Sequence, residues 1–267
     1  RIASGNLLAL YDDPRINVYL PEMIEIPGAI VKIGLPVEKV DDVVKKYSDL
    51  KVSYNWIEKE TPAHFVHIKK FRISKYLVTN IEYLEYLKTS DELEIPSSWH
   101  FGSFPHERSN HPVYSISAES ASRYTQWLSK KTKSKFRLPT EPEWEYAAAG
   151  PFGFEFPWGN EFQRDFANTL EAGLLCTTPV GVFPEGKSPF GVYDMAGNVE
   201  EFVLDGFYDY PKSKLSEPDD LSLQLGFYRV CRGGSFTRYR DLARTKRRHG
   251  PFPKDIYVTG FRVAQEI

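Results

Sequence analysis

Oxygen donors at short, uneven spacing mark the stretch FGVYDMAGNVEEF, residues 190–202. Asp194 and Glu201 supply carboxylates there. Gly197 and Val199 can offer backbone carbonyls, since a glycine lets the chain bend where a side chain would not fit. A hard cation such as calcium takes roughly six to eight oxygens at flexible geometry, some of them from water, so a loop of this kind can fold around one. The same two carboxylates can instead pair with arginines or cap turns. A second concentration of chemistry follows. Residues 229–248 open with RVCRGGSF and hold eight Lys or Arg against one Asp. Forked guanidinium donors beside Tyr239 could grip an acidic peptide, a phosphate or a nucleic acid. The competing reading is that arginines anchor irregular loops from within, and Arg240, Arg244 and Arg262 are read that way. Arg238, Tyr239, Lys254, Asp255 and Tyr257 are read as exposed recognition residues, with Ser235 and Thr237 beside them at the head of the loop 237–259.

The remaining candidates are weaker. Cys176 and Cys231 cannot form a disulfide framework. One bridge is possible, but two reduced thiols in a cytoplasmic protein is the simpler reading, and Cys231, on an apolar run, reads as a small buried residue. His64 and His67 lie three apart in a strand-like segment, which puts them on opposite faces. His106 and His111 flank a proline-bearing loop. His64 and His111 are read as hydrogen-bonded structural residues.

The elements that must position these residues are mixed. The chain has 267 residues, 41% of them hydrophobic and 15% aromatic, with 18 Gly and 19 Pro. That is enough for one large core in a loop-rich fold and argues against a helical bundle. A net charge of −2 excludes a whole-molecule electrostatic nucleic-acid binder. No apolar run approaches membrane-spanning length. The spacing predicts a short helix within residues 1–22, a β-hairpin over 23–34 around Pro27-Gly28, a helix over 37–47 and strand-like structure over 64–73. Capping boxes at Thr79–Glu82 and Thr140–Glu143, and a cap at Ser117, predict three further helices. After Gly150 only turns and short strands are expected.

Several motifs occur in one order. They are RLPTEPEWEYAA (137–148), PWGN (157–160), ANT (167–169), PVGVFP (179–184), the 190–202 stretch, RGGSF (232–236) and GFRVA (260–264). IPG, ExPxH at residues 60–64, VTN at 78–80 and NHPV at 110–113 precede them. From about residue 23 to the C-terminus the chain resembles the formylglycine-generating enzyme, or sulfatase-modifying factor, family. The resemblance implies an α+β fold, that family's variant of the C-type lectin fold, loop-rich with small antiparallel sheets and two or three helices. Residues 1–22 then form a lead-in from an upstream region, and 23–267 form the domain.

The family spans several functions. One branch oxidises a sulfatase cysteine to formylglycine with a copper held by two cysteines. Another comprises iron-dependent sulfoxide synthases, whose histidines come largely from an extra N-terminal domain. Others are binding modules, including variable proteins of diversity-generating retroelements and C-terminal domains of bacterial signalling or defence proteins. Where the oxidase has its first copper cysteine after the GGS turn, this chain has Arg238, and an apparent deletion removes the position of the second. Copper(I) prefers soft thiolates, for which arginine cannot substitute. Asp194, Gly197, Val199 and Glu201 match calcium positions of the oxidase. Asn168 and Thr169 match half of a second calcium site, whose later aspartate falls near Glu171-Ala172. The resulting expectation is a non-catalytic recognition domain that presents residues 237–259 to a protein or small ligand on a calcium-stabilised scaffold. It is expected in the cytoplasm, joined to an N-terminal companion domain, and without copper, iron, membrane or nucleic acid. The alternative is a divergent oxidase or an iron-dependent sulfoxide-synthase-like enzyme.

Overall fold

Two apolar runs meet at Pro27-Gly28 without pairing with each other. In a computed structural model that describes residues 1–251 and 257–267, β1 (Met23–Ile26) pairs antiparallel with β4 (Phe71–Ser74), and β2 (Ala29–Ile33) with β3 (His64–Ile68). The predicted hairpin is therefore corrected to a bend. The pairs Met23–Ser74, Ile26–Phe71, Ala29–Ile68 and Ile33–His64 share one unbroken register, so the two segments form a single ribbon creased at its middle. Pro27 cannot donate to a ladder, and a Cβ on Gly28 would stand 2.9 Å from the Lys70 amide nitrogen. The crease sends the two halves of the ribbon into different sheets.

The larger sheet has the order β1-β4-β9-β5, with β5 at Phe136–Arg137 and β9 at Ala264–Glu266. A third sheet has the order β7-β6-β8. There β6 (Glu200–Gly206) runs antiparallel to β7 (Arg229–Arg232) but parallel to β8 (Thr259–Phe261). The expectation of purely antiparallel sheets fails at that pair, because β6 and β8 belong to different excursions of the chain.

The predicted helices appear with their caps. In α4 (Asn80–Thr89), Thr79 and Glu82 form the capping box. In α5 (Ala118–Thr132), the Ser117 hydroxyl accepts the Ser120 amide at 3.0 Å. In α6 (Glu141–Ala149), Thr140 and Glu143 form the box around Pro142. Four described helices reach nine residues: these three and α1 (Ile2–Leu10). Short helices α2 (Val40–Lys46), α3 (Tyr54–Glu58) and α7 (Asp220–Leu225) bring the described total to seven, above the two or three expected. The extra ones are one to two turns long and are held by packing rather than by a long periodic face.

The lead-in is docked. Ser109 Oγ donates to the Ala9 carbonyl at 2.5 Å, and Asn110 Nδ2 donates to the Gly5 carbonyl at 2.9 Å and to Asp13 Oδ2 at 2.7 Å. Tyr83, Trp99, Tyr124 and Phe261 pack between α4, α5 and β8. Trp144 of α6 joins β1, β4 and β6 in an adjoining apolar cluster. No helix among the described residues is long and apolar enough to cross a membrane.

Candidate functional site: the turn after β7 and the network beneath it

Gly233 and Gly234 leave β7 with φ of +91° and +66°, a region L side chains rarely adopt. A Cβ on Gly234 would meet the Leu242 carbonyl carbon at 2.9 Å. This tight turn drops Ser235 into the interior, its Oγ 3.0 Å from Thr237 Oγ1, and carries Arg238 back across β6. Arg238 Nε donates to Glu200 Oε1 at 3.0 Å, and Nη2 donates to the Tyr257 hydroxyl at 2.6 Å. The guanidinium also lies 5.1 Å from the Tyr257 ring centroid. The Tyr257 hydroxyl is 3.2 Å from Glu200 Oε2 and 2.9 Å from His249 Nε2.

Burial drives the protonation of this group. It raises the Glu200 carboxyl, an effect the Arg238 charge opposes. It lowers His249, helped by Arg247 and Arg238, so the imidazole is neutral. It raises the Tyr257 hydroxyl, aided by the Glu200 charge. The Cys231 thiol is also raised, first by burial and then by Glu200, so no nucleophilic thiolate forms at neutral pH. The network holds itself closed rather than presenting a reactive group.

Several sequence expectations meet this geometry. Ser235 is fully buried and Tyr257 is buried, so neither is an exposed recognition residue. Arg238 is half-buried, facing inward to Glu200. The reason is a carboxylate the sequence reading passed over. Glu200 and Glu201 are neighbours on β6, where successive side chains point to opposite faces. Each requires a cation on its own face: Arg238 serves Glu200, and Arg262 serves Glu201. Thr237 and Tyr239 are exposed, Tyr239 at 49%. Lys254 and Asp255 lie outside the described residues.

The basic stretch is neutralised from distant parts of the chain. Arg232 bridges Glu141 and Glu145 at 2.6 Å each, and Arg248 forks onto Glu141 at 2.8 and 2.9 Å. Arg244 forks onto Glu60 at 2.9 Å to both oxygens, with both side chains 0% exposed, and also reaches Glu155. Arg240 reaches Asp49 at 2.6 Å. Arg244 and Arg262 are thus internal anchors, whereas Arg240 ties loops together at the surface, on the exposed Asp49. The acidic partners could have been sought in ExPxH and TEPEWEY, where each glutamate had already been given a local capping role or none.

The oxygen-donor loop divides into two cases. Glu201 gives both carboxylate oxygens to Arg262, at 2.5 and 2.9 Å, so the positive charge a cation would bring is already supplied. Glu201 therefore does not fit as a calcium ligand. Asp194 Oδ2 accepts the Gly181 amide at 2.7 Å, and burial pushes its carboxyl up to about 6. The second set is adjacent, since the Asn168 carbonyl accepts the Asn198 amide at 2.8 Å and Asn168 bridges to Gly197. Here Asn168 Oδ1, Thr169 Oγ1 and Glu171 Oε2 are buried with no hydrogen-bond partner. Orphaned buried oxygens are costly, and a cation would satisfy them. Among the described residues no three His, Cys, Asp or Glu side chains gather as a metal cluster, so such an ion would depend on amide, hydroxyl and carbonyl oxygens beside the one carboxylate of Glu171.

His64 faces Tyr210 edge-on at 4.6 Å between ring centroids, while His67 is exposed, so the two histidines do point apart. His111 is buried between Thr177 Oγ1 at 3.0 Å and Asn6 Oδ1 at 3.1 Å. Cys176 and Cys231 are both free thiols.

Residues 12–267 match the family described as the sulfatase-modifying factor enzyme 1-like domain. Serine/threonine-protein kinase Pkn1 of Chlamydia trachomatis is 40% identical over 161 residues, covering 59% of this chain and 24% of that protein. Formylglycine-generating enzyme of Thermomonospora curvata is 37% identical over 169 residues, covering 54% and 53% respectively. The chain thus spans about a quarter of the first relative's length and about half of the second's. Among solved structures, PvdO from Pseudomonas aeruginosa superimposes with a TM-score of 0.71 at 30% identity, covering 93% of this chain and 95% of that one.

Proposed function

The chain belongs to the sulfatase-modifying factor enzyme 1-like family, and within it we propose a recognition domain that keeps the family scaffold and performs no oxidation. One observation carries the reading: Arg238, at the position of the family's first copper cysteine, is locked onto Glu200 and Tyr257. A guanidinium cannot ligate cuprous copper, and its ion pair occupies the interior where a thiolate pair would stand. Cys231 offers no substitute, since it is a buried thiol of raised pKa. The surface that recognises a partner includes the exposed Thr237 and Tyr239. A cytoplasmic setting belongs to the same proposal and is supported by the two unpaired thiols. So does a companion domain in the same polypeptide, which the full-length gene would test.

A structural calcium is proposed at Asn168, Thr169 and Glu171, supported by their orphaned oxygens. When bound, the ion would satisfy these three buried oxygens, while the other oxygen of Glu171 is already held by Arg240. The decisive experiment is metal analysis of purified protein together with oxygen uptake in the presence of a cysteine-containing peptide. We expect calcium without copper or iron, and no uptake. Stoichiometric copper or iron with peptide-dependent oxygen consumption would replace the recognition reading with the oxidase or sulfoxide-synthase one.

A further inference from the structure

Arg229, at the first position of β7, differs from the other arginines of the basic stretch. Among the described residues its guanidinium has no carboxylate, carbonyl or hydroxyl partner, whereas Arg232, Arg238, Arg240, Arg244, Arg247 and Arg248 all do. It lines a groove of about 510 Å³ between the start of α5 and the segment joining α7 to β7. One side is apolar: Phe202, Leu225, Phe227 and Tyr228. Phe227 is 61% exposed at the edge of this ligand-sized concavity, where aromatic rings commonly line binding sites. Ser97, Ser115 and Thr259 add hydroxyls, and Glu94 and Glu119 add carboxylates. Tyr257 also borders the groove, but its hydroxyl is engaged by Arg238, Glu200 and His249.

We propose that this groove binds a small molecule carrying one carboxylate on an aromatic or apolar body, with Arg229 holding the carboxylate and Phe227 covering the body. The proposal rests on the recognition reading and extends it to a second place, since the groove includes neither Thr237 nor Tyr239. A guanidinium matches a carboxylate in a two-bond fork, and a half-buried arginine without a partner keeps that fork available. Glu94 and Glu119 select against more highly charged anions. Glu94 is committed to the Ser117 amide and hydroxyl and lies 3.8 Å from Arg123, while Glu119, exposed in the first turn of α5, has no hydrogen-bond or ion-pair partner among the described residues and adds negative charge to the groove. A phosphate would meet that charge with its own, whereas a single carboxylate can be seated at Arg229.

The test is calorimetric titration of the full chain with 3-phenylpropionate. The uncharged 3-phenylpropionamide and inorganic phosphate serve as comparisons. Saturable one-to-one binding of the carboxylate is expected, weakened about tenfold or more in Arg229→Gln and in Phe227→Ala. The amide should bind less tightly than the carboxylate, and phosphate least. Among the described residues Arg229 makes no ion pair, so Arg229→Gln should melt at the wild-type temperature, which separates a binding loss from a folding loss. Equal affinity of Arg229→Gln, equal affinity for the amide, tighter binding of phosphate, or no binding of the carboxylate at millimolar concentration would each overturn the site. Oxygen uptake on adding the bound carboxylate would overturn the recognition reading while leaving the site in place.

Discussion

At the scale of single residues, the chemistry that looks available is mostly committed to holding the fold. Arg244 and Glu60 show the energetics. Removing one partner of a fully buried pair leaves a charge with no compensation, which costs about 3–5 kcal/mol. Arg244→Met, which strands Glu60, should therefore lower stability to denaturant by roughly that amount, and Glu60→Leu, which leaves Arg244 its contact with Glu155, by less, while the double change should cost less than the two single changes summed. A double-mutant cycle by urea unfolding checks this. His111 makes a pH prediction. Burial, and then the Arg108 charge, depress it to about 3 in the folded chain, so it is neutral there at every ordinary pH. The unfolded chain titrates it near 6.5 and so binds the extra proton first. Stability from this group is thus fully present above about pH 6.5 and is lost as pH falls towards 3, on the order of 5 kcal/mol in all. His249, also lowered by burial, adds to the slope. His111→Gln should flatten the slope between pH 6.5 and 4 in pH-dependent urea unfolding; an unchanged slope would show that the imidazole is not held neutral. Residue identity made the arginines legible as a group. It could not assign their partners, because Glu60, Glu141 and Glu155 stand about 90 to 190 positions away from them.

At the scale of elements, local signals worked where the hydrogen bonds are local. The capping boxes of α4 and α6 sit where the sequence put them, since Thr79–Glu82 and Thr140–Glu143 satisfy their own backbone donors. Thr140→Ala should cost about 1 kcal/mol, seen as a lower denaturation midpoint at unchanged cooperativity. The strands were harder to read. Pro27-Gly28 carries the composition of a turn, yet it creases a ribbon whose partner strand begins at His64. Composition records that the chain bends; pairing depends on what arrives later. The same limit hid Tyr257, which looks like a loop residue but is fixed by β6 through Glu200. It also hid the pairing of Glu201 with Arg262, which lies more than sixty positions on.

At the scale of the whole molecule, α1 is part of the structure it precedes. Deleting residues 1–10 would strip acceptors from Ser109 and Asn110 and the Asn6 contact from His111. A loss of roughly 2–4 kcal/mol is expected, measured by thermal melting. Calcium is a second whole-molecule variable. Added calcium should raise the melting temperature, and Glu171→Gln should abolish the rise while Asp194→Asn leaves it, if the orphaned oxygens near Asn168 are the binding place. The family resemblance was readable because its motifs lie in fixed order. The groove beside Arg229 was not, because its walls come from five separated segments, each of which reads locally as ordinary. The strand order β1-β4-β9-β5 has a further consequence. A ribosome delivers β9 after every other strand of its sheet, yet β9 occupies an interior place, hydrogen-bonded on both edges. Until Ala264 clears the exit tunnel, β4 and β5 face an open slot, and nascent chains stalled short of it should be cut by protease where released chains resist.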